Sequence, residues 1–192
     1  MNKVIQEVTQ DIINRSKKNR AIYLEMIEKS KGDGTSKQRM DCSNLAHTIA
    51  PMNKDEKELL TNMEIPNIGI ITAYNDMLSA HEPYKAYPKI IKEELLKNSA
   101  TAQVAGGVPA MCDGVTQGKE GMELSLFSRD NIAMGTAVGL SHNVYDGNVF
   151  LGVCDKIVPG LLMGALSFGH LPAIFIPSGP MTSGISNSEK AK

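Results

Sequence analysis

From Asn67 onward the chain alternates short β-branched or apolar runs with longer stretches of helical spacing, and this alternation narrows its fold more than any other feature. Ile68-Gly-Ile-Ile-Thr72, Ala102-Gln-Val-Ala105, Asn148-Val-Phe-Leu-Gly-Val153 and Ala173-Ile-Phe-Ile176 read as strands. Tyr84–Lys97, Met122–Ser141 and Pro159–Gly169 read as the helices between them. Pro159 suits a first helical turn, where its missing N–H would be unpaired anyway, and Gly169 suits a helix end. Strands separated by helices return to their sheet by crossovers and therefore run parallel. The expected fold is α/β: a three-layer domain with a mainly parallel sheet, preceded by an N-terminal helical segment.

That leading segment spans residues 1–64 as a helical appendage. Val4, Ile5, Val8, Ile12, Ile13, Ile22, Leu24 and Ile27 recur at helical spacing among many charges, which predicts two helices or one broken near Ser16–Asn19. Ser30-Lys-Gly-Asp-Gly-Thr-Ser36 concentrates turn formers and reads as a linker or exposed loop. The α/β domain is assigned to residues 65–184, and residues 185–192 form a polar tail that would suit a fragment boundary. A chain of 192 residues buries enough surface for one such domain with appendages, not two.

Charge and composition exclude several function classes. Twenty Lys and Arg against 21 Asp and Glu leave a net charge of -1, with no field to draw nucleic acid or anionic lipid, so a small-molecule partner is expected. No apolar run approaches the roughly 20 residues that a spanning helix needs. The N-terminus, MNKVIQEVTQDIINR, places acids and amides where a signal peptide is apolar, so the expected location is cytoplasmic. Cys42, Cys112 and Cys154 are odd in number and far apart, which argues against a disulfide framework.

The polar clusters follow the strands. Asn75 and Asp76 come after the first, Gly106-Gly-Val-Pro-Ala-Met-Cys-Asp-Gly-Val-Thr-Gln-Gly118 after the second, Cys154-Asp-Lys156 after the third and Ser178-Gly-Pro180 after the fourth. Ligands of open parallel sheets bind outside the carboxyl ends of strands, so these loops should converge on one crevice. Cys154, Asp155 and Lys156 stand between a strand and a helix start, where N–H groups and the helix dipole favour a thiolate. Spacing alone equally admits a small buried cysteine, a helix-capping aspartate and a solvated lysine. Cys112 and Asp113 supply a second Cys-Asp pair on a glycine-rich loop. Thiolates select zinc or iron-sulfur clusters and carboxylates a hard cation such as Mg²⁺, so the mixed set suggests a cluster beside a divalent ion, though two cysteines do not complete a four-ligand site. The loops carry neither a zinc-knuckle spacing nor a phosphate-cradling GxxxxGK[ST] motif. His81 follows the first strand and is a candidate to orient substrate or shuttle a proton, whereas His142 and His170 read as capping or packing residues. Met122, Met134 and Met163 read as core filler.

Three long segments resemble the dihydroxy-acid and phosphogluconate dehydratases, and the phosphogluconate branch in particular. They are Asn67-Ile-Gly-Ile-Ile-Thr-Ala-Tyr-Asn-Asp-Met-Leu-Ser-Ala-His-Glu-Pro-Tyr84, Gln103 through Gly118, and Gly152-Val-Cys-Asp-Lys-Ile-Val-Pro-Gly160. Ser167-Phe-Gly-His-Leu-Pro172 and Pro177-Ser-Gly-Pro-Met-Thr-Ser-Gly184 extend the likeness, and Asn14-Arg-Ser16, Tyr23-Leu24 and Asn44-Leu-Ala-His47 carry it weakly into the first segment.

The resemblance implies dehydration of 6-phospho-D-gluconate to 2-keto-3-deoxy-6-phosphogluconate, in the Entner-Doudoroff route. An iron-sulfur cluster, 4Fe-4S in preference to 2Fe-2S, would act as Lewis acid. It implies Cys154 as a cluster ligand, with Cys112 as a lesser candidate. In the dihydroxy-acid branch the positions matching Asp113, Asp155 and Lys156 bind Mg²⁺, the lysine being carbamylated, and Lys156 with His81 completes the candidate catalytic set. Members are much longer, with a second domain downstream and homodimeric assembly, so the resemblance implies an amino-terminal portion with an incomplete site. Another sugar-acid or dihydroxy-acid dehydratase, or an inactive dimerising module, remains as an alternative reading.

Overall fold

A computed structural model describes residues 2–179 and 186–191 of the chain. Helix α1 (Lys3–Ser30) opens it, capped by Asn2, whose side chain accepts from Val4 N at 2.9 Å. It runs unbroken, contrary to the expected interruption near Ser16–Asn19. That stretch holds no Gly or Pro, and Ser16 Oγ donates to the Ile12 carbonyl at 2.6 Å instead of competing with the helix. No residue of α1 is buried, and Tyr23 Oη ties it to the body by donating to the Leu166 carbonyl at 3.0 Å. Two short helices follow, α2 (Cys42–Ile49) and α3 (Lys54–Leu60), the latter closed by a reciprocal capping box between Asn53 and Glu56.

The sheet has four strands, β1 (Asn67–Thr72), β2 (Thr101–Gly107), β3 (Gly147–Leu151) and β4 (Ala173–Ile176), in the order β2-β1-β3-β4. All three pairings are parallel, as the alternation required. A register shift between Ile70 and Ile71 on the β1–β2 pair lets Ala105 bulge out of the ladder, just before the glycine-rich loop. Every residue of β3 is buried, which is why it reads as a continuous apolar run.

Alternate side chains split into two cores. Ile71 and Phe150 face Ile132, Leu140, Ile157 and Leu161, from α6 (Ser125–Leu140) and α7 (Ile157–Ser167). Ile70 and Val149 face the other side with Tyr84, and Ile91 and Leu95 from α4 (Tyr87–Lys97) pack there. These are the three expected layers. The expected helix over Tyr84–Lys97 is a 3-10 turn, Glu82–Lys85, leading into α4, and that over Met122–Ser141 is a 3-10 turn, Glu120–Leu124, leading into α6. Pro159 lies in the first turn of α7 and Gly169 just past its end, as read. A cap on the short α8 (Asn187–Lys190) comes from Ser186. Residues 180–184 of the Pro177–Gly184 motif, and 185 and 192 of the expected tail, lie outside the described residues.

α7 is held unusually close to α6. A Cβ on Gly160 would sit 2.7 Å from the Arg129 carbonyl oxygen, and one on Gly164 would sit 2.5 Å from Thr136 side-chain atoms. This approach anchors the helix whose first turn follows Cys154-Asp-Lys156. Two methionines depart from the reading as core filler: Met134 is 66% exposed and Met163 43%, because both lie on outward faces of the α6–α7 pair.

Candidate active site

The carboxyl ends of β1, β2 and β3 bring the strand-following loops together. After β1, Asn75 Oδ1 accepts from Met77 N at 2.9 Å while Asn75 Nδ2 donates to the Ala110 carbonyl at 3.5 Å, linking that loop to the one after β2. After β2, Cys112 leads into the one-turn helix α5 (Asp113–Thr116). After β3, Cys154 takes a left-handed backbone conformation, φ 80°, costly for a residue with a Cβ. That turn aims Lys156 back across the sheet.

Lys156 joins the two Cys-Asp loops. Its Nζ donates to Asp113 Oδ2 at 2.6 Å and to Asp155 Oδ2 at 2.7 Å, and its side chain is 18% exposed. Ser125, buried at the start of α6, donates to Asp113 Oδ1 at 2.5 Å. The hydrogen bond from Lys156, then that from Ser125, hold the Asp113 carboxyl below the usual carboxylate range. Asp113 and then Asp155 raise the Lys156 ammonium above the usual lysine value, so it is protonated throughout the neutral range.

Cys154 departs from the expectation of an activated thiolate. Burial around the sulfur raises Cys154 above its ordinary value, and Cys112, Asp155 and Asp113 add to this. Burial first, and the acidic neighbours after it, favour the thiol form of Cys154 over the thiolate expected from the start of α7. Cys154 and Cys42 are exposed and Cys112 half-buried, so none is the buried small hydrophobe that a cytosolic cysteine commonly is. Among the described residues no group of three or more His, Cys, Asp or Glu side chains converges on one metal position. The thiols of Cys112 and Cys154 are of the donor type that a soft metal takes. Asp113 and Asp155 fit a hard cation only if the Lys156 ammonium yields its place.

His81 is brought to the same rim but behind it. Its ring is fully buried, packs edge-on to Tyr84 with centroids 5.9 Å apart, and has no hydrogen-bond partner at either nitrogen. Burial lowers its pKa, opposed by the backbone of Val153, so the ring is neutral. His142 caps α6, with its Nδ1 2.7 Å from the Gly139 carbonyl oxygen, as expected of a structural histidine. His170 is half-buried beside Phe168.

Sequence reasoning missed Ser125 and Tyr84. Ser125 is one helix-start serine among many, and only its distance from Asp113 singles it out. Tyr84 donates to the Ile176 carbonyl at 3.0 Å, and burial pushes its phenol up to about 12. An apolar cavity of about 490 Å³ on the α4 face, lined by Ile68, Ile91, Leu95, Val149 and Ile174, shares no residue with this rim cluster. It lacks the convergent polar groups of a catalytic pocket. No helix among the described residues is long and apolar enough to cross a membrane.

Comparison with known proteins places this rim in context. The chain is 59% identical over its full length to the phosphogluconate dehydratase of Escherichia coli (strain K12) and 56% identical to that of Zymomonas mobilis, covering 32% of each. It is 38% identical over 121 residues, 63% of its length, to the dihydroxy-acid dehydratase of Akkermansia muciniphila, of which it covers 21%. It therefore spans about a third of the length of the phosphogluconate dehydratases that it matches. Residues 65–192 match the family described as dihydroxy-acid/6-phosphogluconate dehydratase N-terminal, and the chain belongs to that family.

Proposed function

We propose that this chain forms the amino-terminal part of an enzyme that removes water from a phosphorylated sugar acid, 6-phospho-D-gluconate, to yield 2-keto-3-deoxy-6-phosphogluconate. The observation that carries the reading is the bridge from Lys156 to Asp113 and Asp155, which draws the Cys112 and Cys154 loops to one rim. Identity over the whole chain to proteins named phosphogluconate dehydratase, against a shorter and weaker match to a dihydroxy-acid dehydratase, favours the sugar-acid substrate.

The reaction removes the proton on C2 and the hydroxyl on C3, which leave together as water, and the enol that remains tautomerises to the 2-ketone. Cys154 and Cys112 would hold an iron-sulfur cluster, which supplies Lewis acidity toward the departing hydroxyl when bound. Asp113 and Asp155, once freed from Lys156, would hold Mg²⁺. Lys156 and then Ser125 keep Asp113 ionised, and Ser125 fixes its orientation. Lys156, protonated at neutral pH, is not a base as it stands; it holds the carboxylates in place and can donate a proton. Carbamylation would need the neutral amine, which the two aspartates disfavour until a cation replaces the ammonium.

Reconstituting the chain with iron and sulfide under anaerobic conditions tests the reading. Bound iron and sulfide that fall on Cys154→Ser or Cys112→Ser and are unchanged on Cys42→Ser would support it. Equal iron retention in all three variants would overturn it. Turnover is read on the full-length protein with 6-phosphogluconate and with unphosphorylated gluconate, and a preference for the latter would overturn the substrate.

A further inference from the structure

Only the carboxyl half of α1 meets the body of the protein. Tyr23 Oη donates to the Leu166 carbonyl at 3.0 Å, and a Cβ on Gly169 would strike Tyr23 and Ile27. Residues 3–15 are exposed throughout, an overhang of roughly 20 Å at about 1.5 Å per residue. That overhang is amphipathic. Lys3, Glu7, Gln10 and Asn14 share one face and are tied along it, Lys3 Nζ to Glu7 Oε1 at 3.7 Å and Gln10 Nε2 to Asn14 Oδ1 at 3.0 Å. Val4, Ile5, Val8 and Ile12 recur at helical spacing on a separate face, and they are 62%, 56%, 53% and 47% exposed. Short helical segments draw most of their stability from packing such a face, and here the face is bare. The same molecule carries a seat for it. On the outer side of α6 and α7, Ala133, Ala137 and Gly164 floor a shallow groove of about 240 Å³, with the exposed Met134 and Met163 beside them. Val138, Leu162 and Leu166, also exposed, extend this apolar surface along the two helices.

We infer that this chain pairs with a second copy by exchanging arms: residues 3–15 of each copy lie with Val4, Val8 and Ile12 in the α6–α7 groove of the other, about a two-fold axis. Arm and groove stand bare on one and the same chain, so a second copy satisfies both at once, and the pair closes with no seat left over. The area agrees. The apolar side chains of the arm and the groove leave on the order of 800 Å² bare on each copy, which is the share that one partner gives to a stable interface of standard size. The pairing does not depend on the metal chemistry proposed above. It lays the partner's arm along α7, the helix whose first turn follows the Lys156 bridge.

Sedimentation velocity of the 192-residue chain tests this, and the parent chain is expected to run as a dimer. Val8→Glu on the arm and Met134→Glu in the groove change exposed residues and should each weaken the dimer about a thousandfold, since a symmetric pair carries the change twice and one lost anchor is worth about thirtyfold. Ile174→Glu, at an exposed apolar residue of β4, should leave the dimer intact. An equal mixture of the Val8→Glu and Met134→Glu chains should pair about thirtyfold more tightly than either alone, because one sound arm then meets one sound groove. A parent chain that stays monomeric overturns the inference, as does a dimer lost in Ile174→Glu. A dimer that falls to Val8→Glu but survives Met134→Glu means that the arms pair with each other, and it overturns the inference too. So does a mixture that pairs no better than its parts. Should circular dichroism show either variant unfolded, deletion of residues 2–14 takes its place: loss of the dimer upholds the exchange, and a dimer that persists overturns it.

Discussion

Two lysines at opposite rims of the sheet carry the same ammonium and meet opposite fates. At the amino-end rim, Lys37 is wholly buried, and its Nζ donates to the carbonyls of Leu60 at 3.0 Å and Asn62 at 2.8 Å. Burial lowers its pKa, with Asp146 pulling the other way. Asp146 is itself committed, accepting from Ser36 N at 2.5 Å and Asn67 N at 2.9 Å, so it serves to stitch the first segment to β1. At the carboxyl-end rim, Lys156 is partly exposed, and its partners are two carboxylates that raise its pKa. Lys37 is held by backbone oxygens that belong to the fold, and no ligand can claim them. The oxygens around Lys156 belong to side chains and are open to exchange. The first lysine is a structural clamp, and the second occupies the place proposed above for a cation.

Breaking the clamp should have the largest effect. Lys37→Met leaves one buried and one part-buried carbonyl unpaired and is expected to cost roughly 2–4 kcal/mol in chemical denaturation, whereas Lys156→Met should leave the denaturation midpoint nearly unchanged. Comparable losses from both would erase the distinction. Next comes the anchor of α7: Gly164→Ala forces a Cβ against Thr136 and should cost about 1–3 kcal/mol, measured the same way. If the helix separation rather than the glycine matters, Thr136→Ser, which removes the crowding methyl, should recover part of that loss.

A smaller effect separates the lysines by pH. Lys37 has a folded pKa below its unfolded value of about 10.4, so its contribution to stability grows as pH rises through that interval. Lys156 has a folded pKa above that value, so its contribution is full below it and declines as pH rises through the folded value. Denaturation midpoints between pH 9 and pH 11 should therefore shift in opposite directions on Lys37→Met and Lys156→Met, relative to the parent chain; shifts of one sign would refute the assignment. Asp113 gives the acid counterpart. Its lowered pKa adds stability above its unfolded value that is lost as pH falls through the folded one, and Asp113→Asn should flatten that acid limb. The smallest effect concerns exchange at the bridge itself. Mn²⁺ affinity, measured by calorimetry, should rise with pH in the parent chain and lose most of that dependence in Lys156→Met, because the ammonium competes with the ion.

Much of the fold was legible because period and punctuation agree. Four apolar runs separated by helical stretches can satisfy their backbones only as a parallel sheet with crossovers, and Pro159 and Gly169 mark α7 to within a residue or two. The unbroken α1 was less legible, since a polar stretch without Gly or Pro does not announce whether its serine bonds outward or back onto the helix. The exposed Met134 and Met163 were misread because an apolar residue on an α6–α7 outer face looks, in sequence, like one turned inward. At the rim, the cysteines and aspartates could be picked out because they directly follow strands. The part of Ser125 could not, as it depends on a contact twelve positions away from Asp113.

By itself the sequence determined at which end of the sheet the two Cys-Asp loops lie, because strand direction follows from connectivity. Only tertiary structure decided how those residues engage one another. Lys156 reaches across to Asp113, burial raises the Cys154 thiol, and His81 is fully buried. The physical reason is that protonation and hydrogen bonding depend on distances of a few ångströms between loops. Those distances are set by the bulge at Ala105, the turn at Cys154 and the close approach of α7 to α6, and spacing along the chain encodes none of them.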